Sequence, residues 1–370
     1  MRLRIFFFCL LAAFACSFAA EAPRGLPKEL RPLWNSLTLE EKIGQMIMVY
    51  MAPPNFTVTN NFGGILVMKP HLSNMNLFRK NLEKISSRIK VPLLVTIDQE
   101  GGTVNRAVNI DRKWEKTPSA KEMRESEPAA IERTAHEVGK TLHDAGFNLN
   151  LAPTLDPAFD SHGKETFMEH WNRSWNGIKN AEKVRAFVKG MRASGIISAS
   201  KHFPGYDSNK NSDLQMAESD ASESRIKEYV KFFRALSPDI PIVMMSSVRY
   251  TKISNAPAVF EKKLVKMAHD LDDDIVVLTD DLWGSSLRGW ISGPGTPLND
   301  PYPASEFKKV VTAALDAGND MFIITYPAKA VDIKKFILDR AMNDKAFLAR
   351  IEKSVVRILK MKLRAGLLSP

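Results

Sequence analysis

Cysteine is almost missing from this 370-residue chain: Cys9 and Cys16 are the only two, and both lie within the first twenty residues. The rest of the chain can form no disulfide, so its stability must come from the size of its core, which one large domain supplies. Long apolar runs are equally scarce. After residue 20 no stretch approaches the roughly 18 apolar residues of a bilayer-spanning helix, so no integral membrane segment is expected in the mature chain. No low-complexity linker divides the chain into domains. No Gly-rich phosphate loop and no metal-spaced His/Cys cluster is present, so neither cofactor nor metal is expected. Charge of one sign is not dominant locally either. The net charge is +10, but the bases are scattered in pairs such as Lys262-Lys263, Lys308-Lys309 and Lys334-Lys335, on helix-like segments. They read as solvated helix faces, not a nucleic-acid patch, and remain compatible with an anionic cell wall.

The first twenty residues form a separate object. Arg2 and Arg4 precede an apolar stretch over 5–15 and then Ser17-Phe18-Ala19. This is the pattern of a secretory signal peptide removed after Ala19, which places the mature protein, residues 20–370, in a periplasm or outside the cell. Lipidation at Cys16 is the alternative, resting on the poor box Ala13-Phe14-Ala15-Cys16.

Thr38-Leu-Glu-Glu41 reads as a capping box opening a helix. Beyond it, short apolar runs at 46–51, 64–68, 93–97, 147–152, 196–200, 242–246, 275–279 and 321–325 alternate with amphipathic stretches. Strand–helix alternation predicts a parallel sheet with right-handed crossovers. Eight units suit a single α/β domain closed as a (β/α)8 TIM-type barrel. The first strand is ambiguous, since residues 43–51 could also continue the preceding helix.

Polar residues collect where these strands end. The run 275–278 stops at Asp280-Asp281; other strands end in Asp98-Gln99-Glu100-Gly101-Gly102 with Arg106 beyond, in Lys201-His202-Phe203-Pro204-Gly205, and in Asp156 with a loop carrying Arg173. Parallel barrels carry their chemistry at this face. One of the two adjacent Asp residues is assigned to chemistry and the other to capping or positioning. Gly101-Gly102 reads equally as a turn or as a close ligand approach. Fixed carboxylates and cations with Trp faces nearby suit a polyhydroxylated ligand, so carbohydrate is the expected partner. Lys201, if it approaches Asp280, would keep that carboxylate ionised.

Ile97-Asp-Gln-Glu-Gly-Gly, Lys201-His-Phe-Pro-Gly and Thr279-Asp-Asp-Leu resemble the signature stretches of glycoside hydrolase family 3, most of all its single-domain β-N-acetylglucosaminidases that process peptidoglycan. The resemblance implies Asp280 as the nucleophile of a retaining mechanism, with Asp98, Arg106, Arg173, Lys201 and His202 holding the hydroxyls of N-acetylglucosamine. It departs from the family in one loop. Asp213-Leu214-Gln215 stands where the family has Asp-Ser-His, so Gln215 replaces the acid/base histidine, and Met244-Met-Ser-Ser247 replaces a second family histidine. Glutamine has no proton to transfer. Asp207 and Asp213 lie in the same loop, and Asp160-Ser161-His162 spells the dyad in the neighbouring one, making His162 a candidate substitute. Two expectations follow: an exported glycosidase with altered acid/base, or a sugar-binding barrel that has lost turnover.

Overall fold

In the computed structural model, which describes residues 22–293 and 302–369, all eight apolar runs form strands. They are β1 (Ile47–Tyr50), β2 (Gly64–Leu66), β3 (Leu94–Ile97), β4 (Leu149–Asn150), β5 (Ile197–Phe203), β6 (Ile242–Met245), β7 (Val276–Asp281) and β8 (Met321–Ile324). Each pairs in parallel with its neighbours in chain order, and β8 closes on β1 with Phe322 opposite Ile47. The result is the (β/α)8 barrel. β3, β6 and β8 are buried along their whole length, as strands covered by side chains inside and helices outside must be. The signal-peptide and Cys16 readings fall on residues outside those described.

The helices that wrap the barrel are α1 (Leu39–Gly44), α2 (Met75–Ser86), α3 (Pro128–Ala145), α4 (Ala181–Ala193), α5 (Glu223–Leu236), α6 (Lys262–His269), α7 (Ser285–Ser292), α8 (Ala304–Ala317), α9 (Pro327–Asn343) and α10 (Lys345–Arg364). The Thr38 capping box is formed: Glu41 N donates to Thr38 Oγ1 and Thr38 N to Glu41 Oε2, which starts α1. α1 stops at Gly44, so residues 47–50 are a strand and not a continuation of that helix. No described helix is long and apolar enough to cross a membrane.

Two differences from the sequence reading bear on the site. β5 and β7 run further toward the mouth than their apolar cores, so Lys201, His202, Asp280 and Asp281 are strand residues. α7 was not anticipated, because Gly284 and Gly289 interrupt its apolar pattern. At the opposite end of the barrel, the fully buried Lys362 of α10 donates to Gln45 Oε1 at 2.8 Å, Gly63 O at 3.0 Å and Pro92 O at 2.8 Å. Three ammonium protons meet three acceptors, just ahead of β1, β2 and β3.

Candidate active site

The C-terminal mouth of the barrel holds a pocket of about 300 Å³. Its walls include Asp98 from the end of β3, Lys201 and His202 from β5, and Asp280 and Asp281 from β7. Arg106, Arg173 and Asp213 reach the same pocket from three loops. Six separate stretches of sequence therefore converge on one cavity.

One wall is a buried ion network. Lys201 Nζ lies 2.7 Å from Asp98 Oδ1 and 2.7 Å from Glu100 Oε1. Arg173 grips Glu100 with both prongs, Nε to Oε2 at 2.8 Å and Nη2 to Oε1 at 2.9 Å. Two carboxylates offset two cations, so the wall carries no unpaired charge into low dielectric. Burial works against ionising Glu100, but Arg173 and Lys201 outweigh it and hold its carboxyl well below the usual range. Burial likewise opposes the Lys201 ammonium, and Asp98 with Glu100 overcomes it, raising the lysine. Arg106 Nε is buried without a hydrogen-bond partner among the described residues, while the Arg106 backbone N–H is fixed by Gln99 Oε1 at 2.7 Å.

Asp156 organises the next wall. Its Oδ2 lies 2.7 Å from His202 Nδ1, and its Oδ1 accepts from the backbone of His202 at 2.9 Å and of Tyr206 at 2.7 Å. This fixes the His202 ring on β5. The adjacent Asp residues of β7 divide their work. Asp281 accepts from Thr325 Oγ1 at 2.5 Å, Thr325 N at 3.0 Å and Trp283 N at 3.1 Å, and is a positioning residue that joins β7 to the end of β8. Burial pushes the Asp281 carboxyl up to about 6 despite those donors. Asp280 accepts a single described hydrogen bond, from Asp281 N at 2.8 Å, which leaves most of its carboxylate open to the pocket.

Several sequence expectations are corrected. Lys201 does not pair with Asp280; its ammonium is taken by Asp98 and Glu100. Trp faces do not line the pocket; Phe167 and Tyr206 do, while Trp175 is core and Trp283 stacks on Tyr326 outside it. Gly101-Gly102 is a turn: φ is +90° and +56°, and a Cβ on Gly101 would sit 2.0 Å from Pro118 O. Gln215 is exposed and not among the lining residues. His162 is also exposed and outside the pocket, where it pairs with Asp220. Glu100 and Asp156 join the site as residues that the sequence pattern does not mark. Their signal was position alone, two residues beyond Asp98 and at the end of the β4 stretch. Among the described residues no group of three His, Cys, Asp or Glu is placed to hold a metal.

The model of the glycosyl hydrolase family 3 N terminal domain matches residues 38–361. The chain belongs to glycoside hydrolase family 3. Relatives in this family include a beta-hexosaminidase of Alkalilimnicola ehrlichii, 24% identical over 284 residues, or 73% of this chain and 75% of that one. A beta-hexosaminidase of Xylella fastidiosa is 26% identical over 271 residues, covering 70% and 75% respectively. The crystal structure of a beta-N-acetylhexosaminidase from Beutenbergia cavernae superposes with a TM-score of 0.72 over 88% of this chain and 98% of that one, at 24% identity. At that identity the likeness speaks for the barrel fold alone. The three motifs that carried the sequence resemblance all lie in the matched span, and this glycoside hydrolase keeps them at one mouth of the fold.

Proposed function

We propose that this chain is an exported, retaining β-N-acetylglucosaminidase that removes N-acetylglucosamine from cell-wall glycans through a covalent intermediate on Asp280, with an acid/base arrangement of its own. The observation that carries the reading is Asp280 itself. It is an open carboxylate at the end of β7, facing a pocket whose remaining walls are fixed ionic and hydrogen-bonding groups. In such a site the sugar ring is oriented by Asp98, Arg106, Arg173, Lys201 and His202. Asp280 attacks the anomeric carbon as positive charge develops there, and an ionised carboxylate stabilises the oxocarbenium-like transition state. The beta-hexosaminidase names of the relatives support the sugar, and the basic charge and leader pattern support export to an anionic wall.

A second reading, a sugar-binding barrel without turnover, is favoured by one observation: the loop after β5 carries no imidazole, and Gln215 faces solvent. An activated aryl N-acetylglucosaminide separates the two, because its leaving group needs no proton. A burst of aryl release equal to the enzyme concentration supports the glycosidase. Binding of N-acetylglucosamine by calorimetry with no burst supports the binder. Mass spectrometry of the native protein tests export: a chain beginning at residue 20 agrees, and an intact Met1 does not.

A further inference from the structure

In the loop where the family places its catalytic histidine, the group that reaches the pocket is Asp213. Asp213 is exposed at the rim and lines the same cavity as Asp280, while Gln215, two residues on, is equally exposed and does not line it. The backbone around Asp213 is tied down. Asp213 N donates to Asn211 Oδ1 at 2.9 Å, and Ser212 N donates to Tyr206 Oη at 2.8 Å. Asp213 O accepts from Ser285 Oγ at 2.6 Å, and Ser212 O accepts from Ser286 N at 2.9 Å. Ser285 and Ser286 open α7, the helix that directly follows Asp280 along the chain. One rigid unit, β7 and the start of α7, therefore positions both carboxylates. Among the described residues the Asp213 carboxylate makes no hydrogen bond or ion pair, so both its oxygens are free for a substrate.

We propose that Asp213 is the general acid/base of this enzyme, a carboxyl doing directly what the family does with an imidazole. The assignment rests on the retaining-glycosidase reading above. In the first step the Asp213 carboxyl gives its proton to the glycosidic oxygen as the C1–O bond breaks and the Asp280 carboxylate bonds to C1, so the aglycone leaves as an alcohol. In the second step the Asp213 carboxylate takes a proton from water while the water oxygen bonds to C1 and the C1–Asp280 ester breaks. Both groups return to their starting states. The charged groups facing Asp213 are Asp280 on β7, His202 on β5, Arg173 in the loop after β4 and Asp98 after β3. Burial and then Asp280 raise its pKa, against His202 and Arg173, which is the direction a proton donor needs.

The test compares an aryl N-acetylglucosaminide bearing a dinitrophenyl leaving group with a methyl N-acetylglucosaminide. Asp213→Ala should lower kcat/KM for the methyl glycoside by about 10²–10⁴-fold, and leave the dinitrophenyl burst nearly intact. Turnover after the burst should be slow, and azide, which needs no base, should restore it and yield a β-glycosyl azide. Asp213→Asn should show the same dependence on leaving group. Equal losses on both substrates, or wild-type rates on both, would overturn the assignment. A wild-type enzyme with no burst would sink the glycosidase reading and this assignment together; a burst with unaltered Asp213 variants would sink this assignment alone.

Discussion

Asp280 and Asp281 are neighbours on one strand, yet their surroundings give them opposite chemistry. Asp281 is surrounded by donors, yet burial outweighs them and pushes it up to about 6, while Asp280 is left open to the pocket. Asp280→Asn keeps the shape and removes the charge that the proposed mechanism uses as nucleophile, so the aryl burst should fall by at least about a thousandfold, roughly 4 kcal/mol of barrier. Asp281→Asn should lower it far less, because an amide oxygen still accepts from Thr325. Stopped-flow release of the aryl group measures both, and the reverse ranking would make Asp281 the nucleophile. Asp207 makes a separate point about stability. It is 1% exposed, bonded to Tyr229 Oη at 3.0 Å, and burial pushes it up to about 6 from 3.8. A raised carboxyl holds its proton longer in the folded state, so its contribution is fully present below about pH 4 and is lost as pH rises through 6. Asp207→Asn should therefore gain on the wild type between pH 4 and 7 by an amount of order 1–3 kcal/mol, read from denaturant midpoints at each pH. A difference that does not change with pH would contradict this. The residues that sequence pattern could reveal were those at strand ends. Glu100 and Asp156 escaped because they act on other side chains, and sequence separation hides a contact between residues 100 and 173.

At the level of elements, the strands were legible because a run buried on both faces has to be apolar from end to end. Their mouth ends were not, since Lys201 and Asp280 stay in the ladder while breaking the apolar pattern. The two-residue ribbon of Glu218–Ser219 with Arg249–Tyr250 is too short to leave any periodic trace. α7 shows what that costs in functional terms, because this unpredicted helix anchors the loop of Asp213. Ser286 Oγ accepts from Ala217 N at 3.3 Å and donates to Ser247 O at 2.8 Å, joining the loops after β5 and β6 to α7. Ser286→Ala removes those bonds, worth about 1 kcal/mol each. It should lower kcat for the methyl glycoside several-fold while sparing the dinitrophenyl burst. Equal loss on both would place the serine in general stability and not in loop positioning.

Across the whole molecule, the last helix secures the first strands. Burial alone pulls the Lys362 ammonium down to about 7, and among the described residues no carboxylate answers it. Lys362→Met fills the space but leaves Gln45 Oε1 and the carbonyls of Gly63 and Pro92 without their donor. Each orphaned acceptor costs about 1–3 kcal/mol, so the variant should unfold at clearly lower denaturant, by at least about 2 kcal/mol. A midpoint equal to wild type would show that water replaces the lysine. The clamp also bears on the order of events during synthesis. A ribosome delivers β1 first, but β1 gains its second neighbour only when β8 emerges, and the acceptors around β1 to β3 wait for Lys362 of α10. Until the final turns of α10 are made, the nascent polypeptide has an open ring and an unfinished floor.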